Sequence, residues 1–112
     1  CDLNLTSRHI MNAKTFAFMK PTAVIINTAR GPLIDEQSLI AALQAQRLAG
    51  AALDVFEVEP LPLESPLLKM ANVMLAPHNT NSSPTAWERV HWNTIKNLVE
   101  GLGLKYASEV RE

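Results

Sequence analysis

A single cysteine, Cys1, rules out an internal disulfide, and no Cys/His spacing resembles a zinc site, so the chain reads as metal-free and suited to a reducing compartment. Charge of one sign is also lacking. The 10 Lys and Arg nearly balance the 11 Asp and Glu and are scattered, which removes the electrostatic footprint expected for nucleic acid or an anionic membrane surface. No apolar run approaches the roughly 20 residues that cross a bilayer, and no basic segment followed by an apolar one opens the chain. No internal repeat or low-complexity segment is present. These absences predict a cytoplasmic protein without a membrane or nucleic-acid partner. Because the sequence opens at Cys1 rather than Met, it is expected to be a piece of a longer chain.

What is present is apolar content of 47% in 112 residues, enough for a packed interior. Turn signals divide it into alternating short and long elements. Asn12 is placed to cap a short helix carrying Phe16, Phe18 and Met19, which Lys20-Pro21 stops. "AVII" then reads as a buried strand. Asp35 is a good cap for "EQSLIAALQAQ", where Leu39, Ile40 and Leu43 share one helical face and Gly50 follows the end. "AALDVF" is a second strand; a Pro-rich loop, "EPLPLESP", and a turn at "LLKM" lead to a third, "NVMLA", halted by Pro77. Ser83-Pro84 opens a last helix with Trp87, Val90, Thr94 and Leu98 on one side and Gly101 as its stop.

Short, fully apolar strands joined by helical or long crossovers predict an α/β fold with a parallel sheet covered on both faces. In such sheets ligands bind beyond the carboxyl ends of the strands. Those ends carry Asn27, Thr28, Ala29 and Arg30; Asp54, Glu57 and Glu59; and Pro77-His78. An arginine holds a carboxylate through paired charge-assisted hydrogen bonds, a histidine exchanges protons near neutral pH, and a carboxylate orients that histidine. Together they suit a 2-oxo or 2-hydroxy acid. Taken singly, each has a plainer reading: Arg30 as a surface arginine, Glu59 as a solvated loop acid, His78 as a satisfied polar residue, and Asp54 as a strand-end group bonding loop amides.

"INTARGPLIDEQSLIAALQAQRLAGAALDVFEVEP" followed by "SPLLKMANVMLAPH" resembles the D-isomer-specific 2-hydroxyacid dehydrogenases. That resemblance implies a Rossmann-like parallel sheet and hydride transfer between NAD or NADP and a D-2-hydroxy acid or 2-oxo acid. It makes Arg30 the substrate-binding arginine, Glu59 the acid paired with histidine, and His78 the general acid/base. Thr28, Ala29, Arg30, Asp54, His78, Asn79, Thr80 and Asn81 fall at cofactor contacts, and Cys1 near the adenosine end, where it is read as a free thiol. Glu57 shares the loop without a matching role. His9 and His91 read as ordinary surface or helix-face residues, and Trp87 and Trp92 as core or domain-contact residues.

The resemblance also marks what is missing. No G-x-G-x-x-G turn is present, nor an acidic residue about 20 positions later to bind the adenine ribose. Residues 1–82 therefore read as the second half of an NAD(P)-binding domain, lacking its Gly-rich half. Residues 83–112 read as a helix and tail leading back to a substrate domain. After Pro-His the family continues with an apolar residue and small residues including Gly, whereas "NTNSSPTAW" is strongly polar. The expected whole is a homodimeric dehydrogenase of which this chain, inactive alone, is a fragment. The alternative is a non-catalytic remnant, or an NAD-sensing interaction protein resembling the C-terminal-binding-protein corepressors.

Overall fold

The computed structural model describes residues 2–79 and 82–104, and the chain divides into two compact units, residues 1–80 and 81–112. In the first unit a short helix, α1 (Ala13–Ala17), precedes strand β1 (Val24–Asn27); helix α2 (Glu36–Gln44) leads to β2 (Gly50–Leu53), and a 3-10 turn (Pro66–Lys69) leads to β3 (Val73–Leu75). The three strands form one parallel sheet in the order β1-β2-β3. The fold is α/β and Rossmann-like.

Helix ends follow the side chains that satisfy them. Asn12 accepts hydrogen bonds from the Lys14 and Thr15 amides while the Thr15 hydroxyl accepts from the Asn12 amide, a reciprocal capping box. Asp35 accepts from the Ser38 amide at 3.2 Å and from the Ser38 hydroxyl at 2.6 Å. Both bonds favour its ionised form and lower its pKa, the hydroxyl bond most. Replacing Asp35 with alanine is expected to cost about 1 kcal/mol of folding stability, measured as a lower urea midpoint at unchanged slope. The effect is full above the ordinary aspartate range and fades as pH falls through the lowered value, because a protonated cap has lost its charge-assisted bonds.

Two stops differ from expectation. Helix α2 ends at Gln44, and the residue that takes the left-handed conformation beyond it is Gln46, with φ +54°. The Arg47 amide then reaches the Ala42 carbonyl and the Gln46 amide the Leu43 carbonyl, the crossed pair that closes a Schellman end. Gly50 lies beyond that end, as expected, and is the first residue of β2. In the second unit, helix α3 (Pro84–Gly101) is capped by Ser83, as expected, but Gly101 is still helical. The chain turns at Gly103, φ +69°, whose own amide donates to the Glu100 carbonyl while the Leu104 amide donates to the Val99 carbonyl, the same crossed pair. Position 103 needs the left-handed backbone that glycine adopts without steric cost. Trp87 is half-exposed and meets His91 edge-on at 5.4 Å, so it is not a core residue.

Within the described residues of the first unit the sheet is covered on one face, not two. Register places Ile25, Ala51 and Val73 side by side, as it does Asn27, Leu53 and Leu75. This face packs on Phe16 of α1, Leu39, Ile40 and Leu43 of α2, and Leu67. The alternate residues Val24, Ile26 and Met74 stay 54%, 72% and 73% exposed. The strands are apolar on both faces, yet elements for only one are present in the first unit. β2 also stops at Leu53 rather than continuing to Phe56, and Asp54 to Phe56 turn inward to buried positions.

Candidate active site

The in-register ends Asn27, Leu53 and Leu75 put the segments that follow them on one edge of the sheet. Further backbone bonds tie these ends together: the Asp54 amide donates to the Asn27 carbonyl at 3.0 Å, and the Ala76 amide to the Leu53 carbonyl at 2.9 Å.

On the first segment the buried Asn27 side chain acts as a clamp. Its carbonyl accepts from the Ala29 amide at 3.1 Å and its amide donates to the Arg30 carbonyl at 2.9 Å, fixing the backbone from which Arg30 projects. The Arg30 guanidinium is exposed and donates to the Ala29 carbonyl at 2.7 Å. Thr28 is exposed and Ala29 partly so. Gly31 is needed for a steric reason. A Cβ there would fall 1.8 Å from the Phe56 carbonyl oxygen, so the absence of a side chain lets the Asp54–Glu59 loop lie directly against Arg30-Gly31.

On the second segment Glu59 doubles back. One carboxylate oxygen accepts from the Phe56 amide at 3.0 Å, and the other meets Nδ1 of His78 at 2.8 Å. His78, the bond from Phe56 and the positive charge of Arg30 together hold the Glu59 carboxyl below the usual glutamate range, His78 contributing most. His78 itself has φ +56°, a left-handed conformation costing a non-glycine residue on the order of 1–2 kcal/mol. The next residue helps to hold it there: the Asn79 amide donates at 2.8 Å to the carboxylate of Asp54, a side chain only 3% exposed. Asp54 thus anchors the backbone carrying His78. Beside Glu59 and His78 lies an open, largely apolar hollow of about 370 Å³ lined by Phe56, Leu61, Leu68 and Leu75.

The structure therefore joins Glu59 to His78 directly, sets Arg30 where its charge is felt by Glu59, and ties Asp54 to Asn79. Thr80 and Asn81, expected near the cofactor, and Cys1 lie outside the described residues. Asn27 escaped sequence reasoning as a positioning group, although an Asn two and three residues before the amide and carbonyl it binds is a recognisable local signal. Glu57 and His9 were also underrated. His9 is no ordinary surface residue: its Nε2 lies 2.6 Å from the Glu57 carboxylate. Among the described residues no cluster of three or more His, Cys, Asp or Glu is arranged to hold a metal ion, and no helix is long and apolar enough to cross a membrane.

A parallel sheet with a histidine–carboxylate pair and an arginine at its carboxyl edge is an α/β arrangement that sets a proton-exchanging group beside a cation able to hold an anion. The chain belongs to the D-isomer specific 2-hydroxyacid dehydrogenase family, whose NAD binding domain matches residues 1–80. It is 45% identical over 96 residues to glyoxylate/hydroxypyruvate reductase B of Shigella boydii serotype 4 (strain Sb227), covering 86% of this chain and 30% of that protein. It is 47% identical over 91 residues to the glyoxylate reductase of Thermofilum pendens (strain DSM 2475 / Hrk 5), covering 81% and 27%. The crystal structure of a D-isomer specific 2-hydroxyacid dehydrogenase from Xanthobacter autotrophicus Py2 in complex with NADPH and MES superposes with a TM-score of 0.75 at 39% identity, over 99% of this chain and 46% of that one. The chain spans about 30% of the length of the curated relatives it matches.

Proposed function

We propose that this chain is the C-terminal catalytic part of an NAD(P)H-dependent reductase of small 2-oxo acids, in which His78 is the general acid/base, Glu59 its partner and Arg30 the substrate-carboxylate anchor. The observation that carries this reading is the 2.8 Å contact between His78 Nδ1 and Glu59 at the carboxyl edge of the sheet. With Nδ1–H donating to the carboxylate, Nε2 is the nitrogen that serves the substrate. Arg30 is exposed and bound only to a neighbouring carbonyl among the contacts described, so it can exchange that bond for a paired grip on an incoming carboxylate.

NADH or NADPH, when bound, supplies the hydride that reduces C2 of the substrate. His78 delivers a proton to the C2 oxygen, so a 2-oxo acid, the reduced cofactor and a proton give a 2-hydroxy acid and the oxidised cofactor. In the opposite direction His78 takes the proton back. Exposed Thr28, part-exposed Ala29 and the backbone fixed by Asp54 fit the nicotinamide end of the cofactor. No Gly-rich turn is present to cradle its phosphates.

In this reading residues 1–82 are the second half of the NAD(P)-binding domain and 83–112 lead back to the substrate domain. The complete enzyme is a cytoplasmic homodimer. Because half a cofactor site binds weakly, the 112 residues alone are expected not to turn over substrate. The test is NADH and NADPH oxidation with a panel including glyoxylate and hydroxypyruvate, run on the complete protein and on this chain. Turnover by the complete protein supports the proposal. Its absence with every 2-oxo acid and both cofactors overturns it, and turnover by the short chain overturns the requirement for the missing half.

A further inference from the structure

The loop that carries Glu59 is held on its other flank by a second histidine–glutamate pair. Glu57 lies two residues before Glu59, separated from it by exposed Val58. One of its carboxylate oxygens is 2.6 Å from Nε2 of His9 and 3.8 Å from the Arg8 guanidinium. The other accepts from the backbone amide of Glu36, the first residue of α2, at 3.1 Å. Glu36 returns the contact, its carboxylate accepting from the Glu57 amide at 3.3 Å. Glu36 is partly buried, which raises its pKa, an effect opposed by the bond from the Glu57 amide. His9 is itself fixed: its amide donates to the Pro32 carbonyl at 2.9 Å, and the Asn12 side chain donates to its carbonyl at 2.8 Å.

These contacts connect three stretches distant in sequence: the segment before α1, the N-terminus of α2, and the loop after β2. A helix N-terminus presents unsatisfied amides and a favourable potential for a carboxylate, so Glu57 there is both hydrogen-bonded and paired. The turn from Phe56 to Glu59 is thereby fixed at Glu57 before Glu59 reaches back to the Phe56 amide and on to His78.

We propose that Glu57 and His9 are positioning residues: they hold the 56–59 turn so that Glu59 meets His78 in the geometry used for proton transfer. This rests on the Glu59–His78 pair being the acid–base pair, but its geometric content is testable without turnover.

The experiment is an NMR titration of the 112-residue chain, following the Glu59 carboxyl carbon and the exchange protection of the Phe56 amide in the native chain, Glu57→Ala and His9→Asn. Asparagine is chosen because it accepts the φ of +51° at position 9 and is too short to replace the imidazole. In the native chain the Glu59 midpoint lies below the ordinary glutamate range, because of His78, the Phe56 amide and Arg30. In Glu57→Ala it is expected to rise toward that range, with loss of Phe56 amide protection. The sign is diagnostic. Removing a nearby negative charge alone would lower the midpoint, so a rise reports lost bonds from His78 and Phe56. His9→Asn is expected to reduce Phe56 protection in the same direction by a smaller factor. An unchanged or lower Glu59 midpoint with native Phe56 protection in folded Glu57→Ala overturns the proposal. If that variant does not fold, native Phe56 protection in His9→Asn overturns it. Neither result bears on hydride transfer, which the turnover assay decides separately.

Discussion

In the complete enzyme proposed above, replacing His78 with asparagine is expected to lower kcat about 10²–10⁴-fold, the range contributed by a positioned general acid, with KM much less affected. Asparagine is the informative substitution because His78 sits at φ +56°, where asparagine is tolerated and alanine is strained. A loss of this size is then a loss of proton transfer rather than of backbone shape. Glu59→Gln should cost less: glutamine keeps an oxygen for the Phe56 amide but removes the charge beside Nδ1. With the Glu59 carboxyl held below the usual range, its ionised form is complete above that range and is lost only as pH falls through the lowered value. The Glu59 carboxylate is therefore ionised throughout neutral pH. A kcat loss under tenfold for His78→Asn at neutral pH would show that another group moves the proton.

Gly31→Ala is expected to destabilise the first unit by about 3 kcal/mol, the upper part of the range for overpacking. The added Cβ would lie 1.8 Å from the Phe56 oxygen, 1.9 Å from its carbonyl carbon and 2.6 Å from the Glu57 nitrogen. All three are backbone atoms, so relief requires moving a loop pinned by Glu36 at Glu57 and by His78 at Glu59. Gly101→Ala provides the contrast, since its Cβ meets nothing within 4 Å and it is the last residue of helix α3. It is expected to add about 0.5–1 kcal/mol to helix stability. Urea unfolding of the first unit measures the former as a lower midpoint at unchanged slope, and helical circular dichroism measures the latter as a gain. Equal midpoints for Gly31→Ala and the native chain would mean that the loop shifts freely, and Arg30 and Glu59 would then not be coupled.

The elements that sequence made legible are those whose signals are local. Asn12, Asp35 and Ser83 each cap a helix through a side chain acting within three residues. The apolar runs located all three strands, and parallel register carried their ends to one edge. Helix stops were harder, because Gln46 takes a conformation its type does not advertise and Gly103 competed with nearby Gly101. The histidine–carboxylate contact was reached through the family's order of motifs. The His9–Glu57 pair was not, because its members stand 48 positions apart and belong to no shared pattern. Gly31 illustrates the same limit: a glycine after a strand suggests a turn, whereas what it accommodates is a carbonyl from a segment 25 residues later.

Unequal cover of the sheet sets unequal mutational freedom along β1. Ile25, at 7% exposure, is bounded by its neighbours in volume and shape, so substitution there is graded by methylenes lost or gained. Ile26 next to it, 72% exposed, faces no such mould among the described residues of the first unit. A saturation scan of these 112 residues scored for folding alone would therefore show alternating intolerance and permissiveness along Val24–Asn27. Scored for activity in the complete enzyme proposed above, the same scan is expected to erase the alternation wherever further elements rest on that face. The difference between the two scans would map, residue by residue, the surface that the proposed longer enzyme covers.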